Sequence, residues 1–161
     1  MAQVIDASER HDDEFLAAFD AFAQAVRRAR GAPAQGERGA LTLSQYGLLL
    51  PLMTESGVRV RDLAERAGIA ASTATRILDA LERRDLVRRV RDLHDRRSVA
   101  VSMTESGWRR LLAQDAWYRG RQQAFFAHLP LQEQELAADL LLRLAGLIDE
   151  LAAGPAPDGE A

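Results

Sequence analysis

The stretch AASTATRILDALERRDLVRRVRDLHDRRSVAVSMT, residues 70–104, changes its apolar period once and concentrates arginine where it does so. From Ser72 to Arg84 the residues Ala74, Ile77, Leu78 and Leu81 recur three and four apart, the spacing that lines one face of a helix and turns it to a core. The opposite face carries Ser72, Thr73, Thr75, Arg76 and Asp79. Small hydroxyls and one long cation near the N-terminal end suit a helix whose start approaches base edges. After Asp85 the period falls to two: Val87 and Val90 flank one run, and Val99, Val101 and Met103 alternate with Ala100, Ser102 and Thr104 in the next. This predicts a two-stranded hairpin. Its loop, RDLHDRR from Arg91 to Arg97, is too long and too charged for a two-residue turn and projects as an arm able to reach a minor groove. Upstream, RVRDLAERAGIAAS (59–72) reads as a short helix, a turn at Gly68 and the start of the next helix, with Leu63, Ala64 and Ile69 as its apolar contacts. Helix, turn, helix and wing follow in that order.

With these residues in view, Val60 to Gly107 resembles the DNA-binding lobe of the MarR family (multiple-antibiotic-resistance regulators), dimeric winged-helix transcription factors. The most specific piece is DRRSVAVSMTESG (95–107): an Asp, two Arg, a short strand and a Thr-Glu-x-Gly that opens the next helix. The resemblance extends over nearly the whole chain. It implies that Asp95 and Arg97, with Arg96 between them, brace the wing and enter the minor groove. Two positions depart from the family pattern: Asp85 stands where a Gly usually closes the recognition helix, and Ala70 where a polar cap is usual. The second leaves Ser72 as the alternative cap, with a helix shortened to match.

The net charge of -3 argues against nucleic acid only until its distribution is followed. Residues 59–97 hold eleven Arg against seven acids, net +4, and the rest of the chain carries -7. All 21 cations are Arg, which favours planar bidentate contacts to phosphate or guanine. A GC-rich genome accounts for the absence of Lys but not for the clustering. On this basis Arg76 is the expected base reader, Arg97 reads groove width, and Arg88, Arg61 and Ser44 are expected on backbone phosphate. For Arg83, Arg84, Arg88, Arg89 and Arg91 a solvated basic face is the competing reading.

The flanks are helical. Asp6 to Arg30 carries Phe15, Leu16, Phe19, Phe22, Ala23 and Val26 on one stripe, with Ser8 as the expected N-cap. Gly31 to Ala40 is a Gly- and Pro-containing loop, and a second helix runs from Ser44 as cap to Met53 with Pro51 inside it, where it should bend or end. Beyond the wing a helix from Thr104 to about His128 carries Trp108, Leu111, Leu112, Ala116, Trp117, Gly120, Ala124 and Phe125 at helical spacing. Pro130 interrupts it, and a last helix, Leu131 to about Ala153, repeats Leu136, Leu140, Leu141, Leu144, Leu147, Ile148 and Leu151. These stripes exceed what a small winged-helix core covers. A second copy is the simplest partner, with Phe15, Phe19, Phe125, Leu136, Leu140, Leu144 and Leu147 as the expected dimer interface; an ordinary monomer core is the competing reading.

The fold class expected is therefore mainly α with a small β-hairpin wing: a winged helix-turn-helix lobe plus a helical dimerisation lobe, about six helices in all. The segments are an N-terminal dimerisation helix and loop (1–40), the DNA-binding lobe (41–104), C-terminal dimerisation helices (105–153) and a disordered tail (154–161). A homodimer presenting two recognition helices about 34–36 Å apart requires a pseudo-palindromic operator in double-stranded DNA. Occupancy of that operator would block polymerase, so the expected regulator is a repressor. The family resemblance also implies a small aromatic or phenolic effector, for which Phe22, Tyr46, Trp108 and Trp117 are the candidate pocket, although plain core is the leading reading of each.

Other functions find less to rest on. There is no cysteine, hence no thiol switch and no thiolate metal site. Asp92, His94 and Asp95 lie close in the wing, but without a second His at ligand spacing a solvated loop is the default, and no metal or cofactor is expected. No Ser-His-Asp layout, phosphate loop or paired carboxylates appear, so an enzyme is not expected. No apolar run reaches the span of a membrane and the N-terminus lacks a signal layout, which predicts a cytoplasmic protein. The main alternative is a winged-helix module that binds protein rather than DNA, as the overall acidity would suit.

Overall fold

A computed structural model of the chain describes residues 7–32, 40–91 and 99–154. Among the described residues six helices and three strands run in the order α1 (Ala7–Gly31), α2 (Leu43–Leu49), a 3₁₀ turn (Leu50–Met53), β1 (Val58–Arg59), α3 (Val60–Arg66), α4 (Ala71–Arg83), β2 (Val87–Arg91), β3 (Val99–Met103), α5 (Glu105–Ala127) and α6 (Leu131–Ala153). The chain divides within α5 into two compact units, 1–115 and 116–161.

The first unit is built on a core of Leu48, Leu49, Leu52, Val58, Leu63, Ala74, Leu78, Leu81, Leu86, Val87, Val101, Met103 and Leu111 with their neighbours. The apolar face predicted for α4 is there: Ala74, Leu78 and Leu81 are fully buried and Ile77 packs against the cluster. The wing strands also fall at the predicted positions, but the sheet has three strands, in the order β1-β3-β2 and antiparallel throughout. β1 is only two residues long, too short to show a period. The register places Val87, Arg89, Val58, Val101 and Met103 on one face, against the core. Arg88, Val90, Arg59, Ala100 and Ser102 lie on the other. Val87 and Val90 therefore face opposite ways, as residues three apart in a strand must, and Val90 is exposed.

Several helix starts differ from expectation. Thr42, not Ser44, caps α2: its hydroxyl accepts from Gln45 N–H at 3.1 Å while the Gln45 side chain accepts from Thr42 N–H at 3.1 Å, a reciprocal capping box. Pro51 ends α2 by forcing the chain into the 3₁₀ turn, where its missing N–H costs nothing. α1 is already helical at Ala7, so Ser8 lies inside it and is not the cap. α4 begins at Ala71 with Ala70 in the capping position and no side-chain cap, so Ser72 belongs to the first turn and does not shorten the helix.

The two ends of the helix-turn-helix close by one device. At the end of α3, Gly68 adopts φ +62° while its N–H bonds Glu65 O and Ile69 N–H bonds Ala64 O. At the end of α4 the same pair of bonds forms, Asp85 N–H to Glu82 O and Leu86 N–H to Leu81 O, with Asp85 at φ 54°. Asp85 thus does leave the helical region. Buried Leu81 and Leu86 close the motif from the core side, and aspartate is one of the few non-glycine types that tolerates this conformation.

α5 starts against that turn. Thr104 caps it, its hydroxyl accepting from Gly107 N–H at 3.0 Å and donating to Asp85 O at 2.6 Å, and Ser106 donates to the same carbonyl at 3.0 Å. A Cβ on Gly107 would stand 1.9 Å from Leu86 O, so only glycine lets helix and turn come this close. This explains both ends of the Thr-Glu-x-Gly motif. The buried seam of α5 is Gly107, Leu111 and Asp115, with Trp108 packed on the core; Leu112 and Trp117, predicted on the same stripe, are exposed. In the second unit α6 buries no residue, and Leu131, Leu136, Leu140, Leu141, Leu142, Ile148 and Leu151 are exposed.

Candidate nucleic-acid interface

The candidate surface begins with α4, because its C-terminal end is closed and its outward face is polar. Ser72, Thr75 and Arg76 are exposed and Thr73 is half-buried. Thr75 donates its hydroxyl to Ala71 O at 2.9 Å, which leaves the oxygen lone pairs and the methyl group outward. Arg76 makes no hydrogen bond or ion pair with any described residue, so its guanidinium fork is available.

Behind this face lies a contact that the sequence did not announce. Arg89, on the core-facing side of β2, reaches α4: Nη1 lies 2.6 Å from Asp79 Oδ1 and 3.0 Å from Glu82 Oε2, and Nη2 donates to Thr75 O at 3.2 Å. Its backbone N–H donates to Glu82 Oε1 at 3.2 Å. One cation therefore bridges two carboxylates of the recognition helix and ties that helix to the first wing strand. Pairing an Arg with acids seven and ten positions back depends on the strand's placement, and no local spacing signals it.

The remaining candidates divide. Arg88 is exposed on the outer face of the sheet, across from Ser102, and Arg61 is exposed on α3. Ser44 spends its hydroxyl proton on Arg30 O at 2.9 Å, so a phosphate would have to displace that bond. Asp95, Arg96 and Arg97, with Asp92 and His94, lie outside the described residues. Among the described residues no group of three or more His, Cys, Asp or Glu is placed to hold a metal ion. Arg66 forms a two-pronged pair with Glu55, at 2.8 and 3.2 Å, which ties α3 to the turn before β1 and holds the Glu55 carboxyl below the usual range.

The four aromatic candidates for an effector pocket divide by burial. Phe22 and Trp117 are exposed, whereas Tyr46 and Trp108 pack against the core. Tyr46 donates to buried Asp115 Oδ1 at 2.6 Å, linking α2 to α5, a contact a lone Asp in an apolar stripe could have signalled. Of the dimer candidates, Phe15, Phe125, Leu136, Leu140 and Leu147 are exposed and Phe19 and Leu144 are half-buried.

A helix-turn-helix of this geometry followed by a β-hairpin defines the winged helix-turn-helix class. The MarR family model matches residues 41–99. The PcaV transcriptional regulator from Streptomyces coelicolor is 32% identical, with a TM-score of 0.59 over 67% of this chain and 79% of that one, and it has also been solved with its natural ligand. The transcriptional repressor CouR, solved on a 23-mer DNA duplex, is 25% identical with a TM-score of 0.59 over 89% of this chain and 92% of that one. Among curated proteins, the uncharacterised HTH-type regulator YwaE of Bacillus subtilis is 28% identical over 65% of this chain; the chain spans 61% of its length and less of the next curated relatives. The chain belongs to the MarR family of transcriptional regulators.

Proposed function

We propose that this chain is a ligand-responsive transcriptional repressor that binds a pseudo-palindromic operator as a homodimer. The observation that carries the reading is the outward face of α4: Ser72, Thr73, Thr75 and the fork of Arg76, which no described residue engages, on a helix closed at its C-terminal end and tied by Arg89 to the wing. Arg76 reads guanine through two parallel bonds, and the hydroxyls and Thr75 methyl read the neighbouring bases. Arg88 and Arg61 hold phosphate, and the wing arm with Asp95, Arg96 and Arg97 enters the adjacent minor groove.

The dimer reading is supported by the exposed apolar side chains of α1 (Phe15, Leu16, Phe22) and of α6 (Leu136, Leu140, Leu141) among the described residues. Two copies joined there would present two α4 helices to successive major grooves. The protein acts where its DNA is, in the cytoplasm; among the described residues no helix is long and apolar enough to cross a membrane. Ligand response is supported by PcaV, which has a natural ligand. A ligand that alters packing near the recognition helix shifts operator affinity by its differential affinity for the two arrangements.

The test is a random-sequence selection with the purified full chain. Enrichment of an inverted repeat with half-site centres about one helical turn apart is expected. No enriched motif, with retained binding of a protein partner after reversal of the Arg96 and Arg97 charges, would favour the protein-interaction alternative.

A further inference from the structure

Thr75, Asp79 and Glu82 stand four and three apart and so share one face of α4, and a single side chain from outside the helix engages all three. Arg89 Nη1 meets the carboxylates of Asp79 and Glu82, and Nη2 donates to the Thr75 carbonyl. Glu82 uses both its oxygens on this one residue: Oε2 on the guanidinium and Oε1 on the backbone N–H, at 3.0 and 3.2 Å. β2 is the edge strand of the sheet, so Glu82 also supplies an acceptor beyond that edge. The three helix partners cover about two turns, which a planar fork with fixed donors can meet and a lysine ammonium, a single point on a mobile stem, cannot.

Arg89 lies inward of the acids it bridges: its side chain is 23% exposed, against 43% for Asp79 and 41% for Glu82. Its Nη2 bond falls on the peptide of Thr75, a reader in the proposed function and the residue before Arg76. The packing of α4 is lighter toward that end. Among its buried residues the N-terminal half has Ala74 and the C-terminal half Leu78 and Leu81, and Ala70 offers no side-chain cap.

We propose that Arg89 is a positioning residue for base reading: without touching DNA, it fixes the rotation of α4 against the wing, and with it the direction in which Thr75 and Arg76 enter the groove. A two-pronged contact to guanine fails on a small rotation of the helix, whereas arginines on phosphate adapt to it. Arg89 therefore contributes selectivity and little overall affinity. This deepens the operator reading above and rests on it.

The experiment titrates the full chain against the selected operator and a scrambled duplex by fluorescence anisotropy across a salt series, at a temperature where circular dichroism shows the variants folded. Arg89→Lys keeps the charge and loses the fork. It should cut the ratio of operator to scrambled affinity by about tenfold or more, the size of one lost base contact, while scrambled affinity and the salt slope stay those of the parent. Asp79→Ala, at a helix position where alanine is the better helix former, should keep the fold and cut the ratio by about threefold or more. Asp79→Asn, which still offers an oxygen to Nη1, should recover most of that loss. In the R89K chain, Asp79→Ala should cost nothing further, because the two changes break one linkage. If R89K does not fold, the two Asp79 variants carry the comparison.

A ratio unchanged in R89K, with only a lower melting temperature, would reduce Arg89 to a structural residue and overturn the proposal. So would a salt slope shallower by about one in Arg89→Gln, which would give this arginine to phosphate. Equal loss in Asp79→Ala and Asp79→Asn would assign the effect to charge rather than position, and also overturn it. A parent chain that prefers no duplex overturns the operator reading itself; a selective parent with an equally selective R89K overturns this proposal alone.

Discussion

The two compact units treat their leucines in opposite ways. In the first, Leu48, Leu49, Leu63, Leu78, Leu81 and Leu111 are fully removed from solvent. In the second, α6 buries nothing and leaves Leu131 78%, Leu142 73% and Leu151 67% exposed. Each leucine withdrawn from water contributes about 1.5–3 kcal/mol, more than helix propensity returns over the same residues. A closed core means that the winged unit carries its own stability. On the proposed reading the open leucine stripe gives α6 its stability by association, and the comparison separates a reading head from the surface proposed to pair it.

The largest effect should come from breaking the closed side. Gly107→Ala drives a Cβ into Leu86 O, and an over-packed backbone contact with little room to relax should cost about 3 kcal/mol or more, seen as a sharply lowered melting temperature. The open side should respond differently. Leu140→Glu with Leu147→Glu should leave the winged unit folded by circular dichroism while abolishing self-association in sedimentation. Losing the linked second half-site should weaken operator binding by about 100-fold or more.

Smaller changes sharpen the reading head. Arg76→Ala should remove about 1–3 kcal/mol of discrimination between the operator and a sequence changed at one base, whereas Arg88→Ala should weaken all DNA alike and lower the salt slope by about one. If both merely scale affinity, Arg76 is not the base reader. The smallest effect should be a gain. Asp85→Gly relieves a side chain held at φ 54° while its carbonyl goes on accepting from Thr104 and Ser106, and should stabilise the chain by up to about 1 kcal/mol in thermal unfolding.

The same contrast explains what could be read from the residues alone. The change of period after Asp85 marks α4 and the two longer wing strands, because burial on one side imposes that period directly. The reciprocal cap of Thr42 and Gln45 was also written locally, as Thr-x-x-Gln, although Ser44 drew attention to itself. Asp85 looked unsuited to closing a helix; two backbone bonds and the Leu81–Leu86 contact outweigh a left-handed cost of about 1–2 kcal/mol. α5 is legible only in part, for a different reason. It carries apolar residues on more than one side, so Leu112 and Trp117 joined a stripe whose buried seam in fact runs through Gly107, Leu111 and Asp115. The bonds from Arg89 to Asp79, Glu82 and Thr75 depend on where a strand packs on a helix, which neither propensity nor spacing records.

The central claim is that two reading heads are joined through the open leucine surface. Its most direct test is a stoichiometric fluorescence-anisotropy titration of the selected operator, at duplex concentrations well above the dissociation constant, against a scrambled duplex and across a salt series. The account predicts a break at two chains per duplex, selectivity for the operator and a steep loss of affinity with salt. A break at one chain per duplex, or binding no tighter than to the scrambled control, would contradict it.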